Sequence, residues 1–280
     1  MNDIQALLRR HHFHFSKTLG QNFLIDPSVP YEIAGSSGAD ETCGVLEIGP
    51  GIGCLTVELC ELAGRVAAVE LDRSLFPVLS ETLADHPNAV VVPGDVLKLD
   101  LAALVAEQFD GLTPMVCANL PYNITSPVLT ALLESRLFSA LTVMIQREVA
   151  KRICASPGTS DYGSFSLFCQ YHADCELLFE VPPTAFLPAP KVTSAVLRMV
   201  PHEKPDCVED EVWFFKAVRG GFALRRKTLL NSLASVVPLP KEVLTGCIER
   251  AGLSPQVRGE TLGIPQFAAL AVQIKKECVK

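Results

Sequence analysis

Five short apolar runs lie between residues 45 and 146, with helix-like stretches between them. They occupy residues 45–48, 66–71, 89–92, 115–118 and 141–146. Runs that are apolar almost throughout, rather than at every second position, are typical of parallel strands buried on both faces of a sheet. Parallel strands need long crossover connections, usually helices. The pattern therefore predicts an α/β fold with a doubly wound, mostly parallel sheet.

The second half of the chain has a different pattern. Two β-like runs at residues 176–181 and 194–200 flank a proline-rich stretch and predict a hairpin that closes the sheet. After a linker near residues 201–205, apolar residues recur at helical spacing. We therefore expect two domains, residues 1–202 and 203–280, the second small and helical. Its predicted helices cover residues 211–217, 225–234, 241–251 and 265–276.

Composition limits the class of protein. Hydrophobic residues make up 49% and charged residues 20%, which indicates a folded chain with a sizeable core. No apolar stretch reaches the ~18 residues of a membrane span, and the first residues lack the apolar segment of an export signal. The ten cysteines are scattered without a Cys-x-x-Cys pair, so we expect reduced, mostly buried thiols and no metal, with structural zinc as the alternative.

The distribution of charge matters more than its sum. A net charge of −7 argues by itself against a nucleic-acid partner. Residues 216–231, however, hold five basic side chains and no acid, directly after an acidic stretch at 203–211. A basic segment of this kind can contact phosphates even in an acidic protein.

A glycine-rich turn, EIGPGIG at residues 47–53, follows the first apolar run. Glycines let the backbone approach a ligand closely, because no Cβ intervenes. Glu70 ends the next run, where a doubly wound sheet brings a carboxylate to ribose hydroxyls. A tight turn without a ligand is the alternative. The combination favours a pocket for a cofactor that contains a nucleoside.

Dinucleotides are the obvious competitor for this pocket. Their fingerprint is G-x-G-x-x-G, whereas Gly51 and Gly53 are only two positions apart. S-adenosylmethionine needs no pyrophosphate cradle, and Asp95, after the third run, can accept a hydrogen bond from its adenine amino group. A helix cap or turn is the alternative role for Asp95. We expect Glu47 to orient the loop or the amino end of the cofactor.

The sequence NLPY at residues 119–122 follows the fourth apolar run, at the edge where open α/β sheets bind ligands. An exocyclic amine is a poor nucleophile because its lone pair is delocalised into the ring. The Asn119 side-chain oxygen and the Leu120 carbonyl can accept its two N–H groups and aim the lone pair at a sulfonium methyl. Pro121 biases Leu120 towards an extended backbone, and Tyr122 offers a ring for base stacking. An ordinary turn is the alternative, but the motif after the glycines predicts methyl transfer to a nucleic-acid base.

The ordered motifs resemble the small-subunit ribosomal RNA adenine N6-dimethyltransferase family (KsgA/RsmA). The likeness extends from about residue 17 to beyond residue 230. Besides the glycine turn and NLPYNITSP at 119–127, it rests on FSKTLGQNFLID at 15–26, VELD at 69–72, GDVL at 94–97, QREVA at 146–150 and FLPAPKVTS at 186–194.

This resemblance implies a class I, Rossmann-like methyltransferase with a seven-stranded sheet, a small helical domain and S-adenosylmethionine as cofactor. It implies dimethylation of two adjacent adenosines in the 3′-terminal hairpin loop of small-subunit rRNA, on an immature 30S subunit. It also suggests a monomer in the cytoplasm and no membrane partner. Residues 1–26 would contact cofactor or RNA, and the implied cofactor contacts are Asn22, Leu24, Gly49, Gly51, Gly53, Glu70, Leu71, Asp95, Val96 and Asn119.

The resemblance also assigns contacts to the RNA. Phe186 would face Tyr122 across the flipped base, with a core aromatic as the alternative. For the basic residues at 225–227, exposed cations on a solvated helix are the ordinary alternative. Arg258 and Glu260 are expected to pair within the small domain. The implied contacts to RNA are Arg147, Lys191, Arg225, Arg226 and Lys227.

Three other functions compete. The large-subunit adenine methyltransferases that confer macrolide resistance share the glycine turn and an Asn-x-Pro-Tyr motif, but Leu120, NITSP at 123–127 and the basic segment favour the small-subunit enzymes. A ribosome-assembly factor with secondary or lost methylation is a second possibility; intact Asn119, Tyr122 and Phe186 argue for retained activity. A dehydrogenase lacks the dinucleotide spacing.

Overall fold

The computed structural model describes residues 2–11, 13 and 21–279. Two compact units divide the chain: Met1–Ala150 with Ala173–Pro201, and Lys151–His172 with His202–Lys280. The predicted division into residues 1–202 and 203–280 therefore differs from the two units in the placement of one segment. Residues 151–172 group with the C-terminal helices and not with the sheet.

A seven-stranded sheet forms the centre of the first unit. The strands of this unit are β1 (Phe23–Leu24), β2 (Cys43–Ile48), β3 (Arg65–Glu70), β4 (Ala89–Pro93), β5 (Thr113–Asn119), β6 (Leu141–Gln146), β7 (Ala173–Val181), β8 (Phe186–Leu187) and β9 (Ser194–Pro201). The sheet order is β4-β3-β2-β5-β6-β9-β7. Strands β2 to β6 pair in parallel, and β9 is antiparallel to β6 and β7. The predicted α/β class, parallel strands and closing hairpin are confirmed.

Helices cover the crossovers and build the second unit. Those that precede β7 are α1 (Asn2–Arg10), α2 (Ser28–Ser37), α3 (Cys54–Cys60), α4 (Phe76–Thr82), α5 (Leu101–Gln108), α6 (Thr125–Ser135), α7 (Arg147–Ile153) and α8 (Ser164–His172). Those that follow β9 are α9 (Glu211–Phe222), α10 (Leu229–Leu233), α11 (Lys241–Arg250) and α12 (Ile264–Cys278). Short 3₁₀ turns occur at Arg73–Leu75, Pro183–Ala185 and Gly259–Thr261.

Strand β2 lies inside the sheet, between β3 and β5, and its position determines where a ligand can bind. All six of its residues are buried, which explains why its sequence is apolar almost throughout. It pairs with β3 on one side and with β5 on the other. The connection after β2 leads to β3 on one side, and the connection after β5 leads to β6 on the other side. Where connections leave two neighbouring strands in opposite directions, a crevice opens beyond the carboxyl ends of the strands.

The second unit has its own apolar core. Phe214 of α9, Leu244 of α11 and Phe267 of α12 are fully buried there. Tyr162 and Tyr171 belong to the same cluster, and the Tyr162 hydroxyl donates a hydrogen bond to the Leu262 carbonyl at 3.1 Å. Side chains from residues 151–172 therefore complete this core, which is why the segment belongs to the second unit.

The predicted helix at residues 225–234 starts later than expected. Helix α10 begins at Leu229, and the preceding Thr228 has an extended backbone with φ −63° and ψ 156°. The Leu229 N–H is used outside the helix, because it donates to the Val257 carbonyl at 2.6 Å. The basic residues Arg225, Arg226 and Lys227 consequently lie in the turn before the helix. The prediction that they begin a helix is wrong.

None of the ten cysteines, all of which fall within the described residues, forms a disulfide, and five are buried. No group of three or more His, Cys, Asp or Glu side chains in the described part of the chain could hold a metal ion. The same residues contain no helix long and apolar enough to cross a membrane.

Candidate active site

A cavity of about 220 Å³ opens in the first unit beyond the carboxyl ends of β2, β3, β4 and β5. It brings together segments that are far apart in the chain. Its wall includes nine of the ten predicted cofactor contacts: Asn22, Leu24, Gly49, Gly51, Glu70, Leu71, Asp95, Val96 and Asn119. Of the predicted catalytic residues, Asn119, Leu120, Pro121 and Tyr122 also line it.

The glycine turn bends β2 into α3 with left-handed backbone conformations. Gly49, Gly51 and Gly53 have φ values of 69°, 61° and 88°, which residues with a Cβ rarely adopt. A Cβ at Gly51 would also come within 3.0 Å of the Phe23 ring. Gly53 caps α3 and is not among the residues of the cavity wall, so its role is to make the turn.

Glu70 ends β3 with 7% of its surface exposed. Its Oε1 accepts a hydrogen bond from the Asp72 N–H at 2.7 Å, and burial raises the pKa of the carboxyl. Asp72 in turn accepts hydrogen bonds from the Ser74 N–H at 3.0 Å and the Gln21 amide at 2.7 Å. These bonds hold Glu70 at the cavity wall, where it can receive hydroxyl donors.

Asp95 has the turn contact expected as the alternative, and it also lines the cavity. Its Oδ1 accepts a hydrogen bond from the Leu97 N–H at 3.1 Å, which makes it a turn acid. Its Oδ2 lies 3.4 Å from the Lys98 ammonium. The residue also lines the cavity beside the exposed Leu71 and Leu97. An acid next to two apolar side chains suits a flat heterocycle that carries an amino group.

Asn119 is the last residue of β5 and is paired with Met144 of β6. The next residue, Leu120, donates its N–H to the Met144 carbonyl at 3.0 Å. These contacts fix the backbone of the NLPY turn, whereas no hydrogen bond to the Asn119 side-chain amide is found within the described residues. That amide is therefore free to bind a ligand at the cavity edge.

The Tyr122 ring is held through its hydroxyl group. This hydroxyl lies 2.7 Å from the hydroxyl of Ser194, the first residue of β9. Burial raises the pKa of Tyr122, so the phenol remains neutral at physiological pH. The contact connects the NLPY turn to the hairpin that closes the sheet.

Phe186 is not among the cavity-lining residues. It has only 2% of its surface exposed and packs in the core with Val29 and Ile33 of α2. The reason is the pairing of β8 with β1, which aligns Phe186 with Leu24. The structure therefore favours the alternative that Phe186 is a core aromatic over a wall opposite Tyr122.

The predicted RNA contacts differ in how free their charges are. Arg147 lies 2.9 Å from Glu148 and 3.5 Å from Glu180, and both acids raise its pKa. Arg225 binds Glu260 at 3.3 Å and the Ser160 carbonyl. Lys191, Arg226 and Lys227 are exposed and form no ion pair with the described residues. These three are the cations that remain available for phosphates.

The predicted pairing of Arg258 with Glu260 is confirmed at 3.7 Å. Glu260 therefore pairs with two arginines of the second unit, because the Arg225 guanidinium also lies 3.3 Å from it. Glu260 lies in the 3₁₀ turn Gly259–Thr261, and Arg258 is the residue directly before that turn.

The N-terminal segment contributes to the cavity both directly and through the packing of α1. Residues 12 and 14–20 lie outside the described part of the chain, but Gln21 to Leu24 line the cavity. Leu8 of α1 packs against Phe23, Ile52 and Leu75, all of which also belong to the cavity wall. Sequence reasoning missed Phe23, Ile52 and Leu75, because nothing in their local pattern separates a cavity wall from a core.

Known proteins share both the sequence and the fold. The family profile described as "Ribosomal RNA adenine dimethylase" matches residues 12–275. A "Ribosomal RNA small subunit methyltransferase A" of Streptococcus sanguinis (strain SK36) is 47% identical over 279 residues, which cover 98% of this chain and 96% of the relative.

Two solved structures extend this similarity to three dimensions. A dimethyladenosine transferase from Plasmodium falciparum matches with a TM-score of 0.78 at 24% identity, covering 91% of this chain and 98% of the other. The 23S rRNA methyltransferase ErmE matches with a TM-score of 0.67 at 26% identity, covering 91% of this chain and 100% of the other. With the glycine turn, the free Asn119 amide and a profile match over nearly the whole sequence, the chain belongs to the ribosomal RNA adenine dimethylase family.

Proposed function

We propose that this chain transfers methyl groups from S-adenosylmethionine to N6 of two adjacent adenosines in the 3′-terminal hairpin loop of small-subunit rRNA. The observation that carries the proposal is the free amide of Asn119 at the edge of the cavity, beside the glycine turn. A free amide at this position can bind an amino group, and family membership gives that group as the N6 of adenine.

The residues of the cavity wall support S-adenosylmethionine as the cofactor. Glu70 would accept the ribose hydroxyls, and Asp95 would accept from the adenine amino group, with Leu71 and Leu97 as apolar neighbours in the same wall. Val96 and Leu75 supply further apolar surface. When bound, S-adenosylmethionine supplies an electrophilic methyl group on a sulfonium.

Asn119 and Leu120 would act on the target amine. The Asn119 side-chain oxygen and the Leu120 carbonyl accept its two N–H groups, which draws the nitrogen towards a tetrahedral geometry and exposes its lone pair. The backbone of Leu120 is fixed by its bond to Met144, so the acceptor is positioned before the base arrives. Alignment of this kind can supply ~7–11 kcal/mol of the barrier.

Tyr122 would hold the flipped base. Base stacking on an aromatic ring is worth ~1–3 kcal/mol, and the bond to Ser194 fixes the plane of the ring. A strong general base is unnecessary, because a methylated exocyclic amine carries a positive charge and readily loses a proton. After the first transfer one N–H remains, and the amine must rotate before a second cofactor reacts.

The small subunit is the favoured target over the large one. The relative named for small-subunit methylation is 47% identical to this chain, whereas the 23S rRNA methyltransferase ErmE is 26% identical. A difference of this size over almost the full chain supports small-subunit RNA as the target, and we propose from the resemblance that this RNA is methylated in an immature 30S subunit. The resemblance in sequence further leads us to propose a monomer that acts in the cytoplasm.

Transfer of labelled methyl from S-adenosylmethionine to immature small subunits that lack adenine dimethylation tests the proposal. Nucleoside analysis should find dimethyladenosine in the small-subunit RNA and none in large-subunit RNA. Label in the large subunit would assign the chain to the resistance enzymes instead. Tight particle binding without label would favour an assembly factor, and efficient methylation of naked RNA would argue against a role tied to assembly.

A further inference from the structure

A second cavity, of about 410 Å³, lies in the C-terminal helical unit, between the first turn of α9 and the second half of α12. A volume of this size is typical of small-molecule sites. Four of its lining residues are apolar and buried: Val208, Phe214, Ala268 and Ala271. It shares no residue with the cavity of the first unit, so the proposed methyl transfer gives it no role.

Trp213, the single tryptophan of the chain, also lines this second cavity. The Lys216 ammonium lies 4.1 Å from the centre of its ring, which is a cation–π contact. An aromatic ring beside buried apolar side chains suits a flat heterocycle, because every nucleobase has a face that can stack on an aromatic side chain. The nearby ammonium can donate to an anionic group that such a heterocycle carries.

The charged groups around the second cavity are of both signs. Asp210 accepts hydrogen bonds from the Lys275 ammonium at 2.8 Å and the Trp213 N–H at 3.1 Å, and these contacts hold the pKa of its carboxyl below the ordinary value. Asp210 is therefore already paired. The Glu209 side chain is exposed and forms no hydrogen bond or ion pair with the described residues, so its carboxylate is open to a donor from a ligand. Lys276 adds an exposed cation to the lining.

The turn that holds Arg226 and Lys227 follows the other end of α9. The 12 residues of this helix span about 18 Å, so one element of the second unit presents both the turn and Trp213. Proteins that bind single-stranded RNA combine basic side chains for the phosphates with aromatic side chains for the bases. An RNA strand that contacts the turn needs to extend only about this distance to bring an unstacked base to the second cavity.

These groups match a nucleotide better than an apolar protein segment. A nucleobase would stack on Trp213, an N–H group on its pairing edge would donate to Glu209, and its phosphate would lie near Lys216. An apolar protein segment would use the buried lining but neither of these charges. We propose that the second cavity binds an unstacked nucleobase together with its phosphate, and that the RNA substrate supplies this nucleotide. Only the source of the nucleotide rests on the proposed function.

The fluorescence of Trp213 reports on this cavity, because the chain has no other tryptophan. Cytidine monophosphate is a suitable probe, since it carries a base and a phosphate but no adenine for the cofactor cavity. We expect it to quench the fluorescence in a saturable way at millimolar concentration. Ribose phosphate, which lacks the base, should not quench, and cytidine, which lacks the phosphate, should bind about two- to fivefold more weakly. No quenching by cytidine monophosphate, or equal quenching by ribose phosphate, would overturn the proposal.

Two substitutions test whether the nucleotide occupies this cavity. Val272→Phe enlarges a lining side chain and should abolish the quenching, whereas Val212→Phe, at an exposed position of α9 outside the lining, should leave it unchanged. Lys216→Ala should lower the affinity for cytidine monophosphate to that for cytidine. Normal quenching in Val272→Phe would overturn the proposal. If circular dichroism shows that Val272→Phe does not fold, Lys216→Ala decides, because Lys216 is exposed; an unchanged affinity in that variant would then overturn it.

Ultraviolet cross-linking in the complex with immature 30S subunits, followed by mass spectrometry, identifies the source of the nucleotide. We expect the peptide that contains Trp213 to be joined to an rRNA nucleotide. A cross-link to a ribosomal protein would assign the cavity to a protein partner and overturn the proposal. No cross-link in a stable complex would overturn the RNA source, and quenching by cytidine monophosphate would then assign the cavity to a free nucleotide. A chain that shows this quenching but neither binds nor methylates the subunits would contradict the proposed function and the RNA source, and leave nucleotide binding intact.

Discussion

The hydroxyl groups of Tyr122 and Ser194 lie 2.7 Å apart, and this contact joins the NLPY turn to the closing hairpin of the sheet. Ser194 is fully buried and is aligned with Gln146 of β6 and Val181 of β7. It is therefore held on both sides by strand pairing. The ring that would stack on the target base is therefore positioned by a residue within the sheet.

Removing either hydroxyl should slow methyl transfer without weakening cofactor binding. A lost hydrogen bond of this kind costs about 1 kcal/mol, so Ser194→Ala and Tyr122→Phe should each lower kcat by about three- to tenfold. The double variant should be hardly worse than either single one, because both remove the same bond. Steady-state kinetics on immature 30S subunits measure these effects, with Ser37→Ala, another buried serine outside the cavity, as the control. Fully additive losses would show that the two hydroxyls act independently.

Asn119→Ala should separate cofactor binding from chemistry. Loss of a positioned hydrogen-bonding group at a reacting centre typically costs 10²–10³ in rate, and we expect at least that loss in methyl transfer. The dissociation constant for S-adenosylmethionine should rise only a few-fold, since most of the wall is unchanged. Single-turnover transfer together with calorimetry gives both values. Near-normal transfer would exclude the assigned role for Asn119.

Leu8→Ala should affect the cavity through α1. Leu8 is 6% exposed and packs on Phe23, Ile52 and Leu75, and truncation of a buried leucine costs ~2–5 kcal/mol. Because α1 is a peripheral helix, we expect the loss as undocking of α1, with weaker cofactor binding and faster protease cleavage near residue 10. Saturating S-adenosylmethionine should slow that cleavage. The exposed Leu62 offers a control, and equal sensitivity of Leu62→Ala would contradict the coupling.

Reversing the charges of Arg226 and Lys227 should weaken binding to immature 30S subunits. These side chains are exposed and form no ion pair with the described residues, unlike Arg225, which is bound to Glu260. If each contacts one phosphate, the slope of log affinity against log salt should fall by about one to two units in the double variant. Lys276→Glu reverses another exposed charge of the second unit and should have a smaller effect. An unchanged slope would remove this turn from the RNA interface.

Strand positions were predicted well because a continuous apolar run marks these strands in the sequence. The predicted run at 141–146 coincides with β6, and 89–92 differs from β4 by one residue. Helix starts were less predictable. Residues 225–228 have good helical composition, but a tertiary bond from the Leu229 N–H to the Val257 carbonyl sets where α10 begins. Local propensity is weak enough for one such contact to override it.

The sequence predicted those parts of the candidate site whose chemistry depends on particular residue types at turns and strand ends. Glycines with positive φ, an acid at the end of β3 and an Asn-x-Pro-Tyr turn all have local signatures. Phe186 was not predictable in the same way, because an aromatic in a proline-rich loop has the same sequence whether it faces a cavity or a core. The pairing of β8 with β1 decided its position.

The sequence by itself determined the order of strands and turns, the chemistry at their ends, and the family to which the chain belongs, because these depend on local pattern and residue type. Only the tertiary structure decided which charges are free and which side chains share a space. Arg147 and Arg226 are both basic residues, but Glu148 and Glu180 lie close only to the first. Glu47 is one of 31 acidic residues, and burial raises the pKa of its carboxyl to about 8. Packing between distant segments sets desolvation and charge pairing, and no local stretch of sequence contains that information.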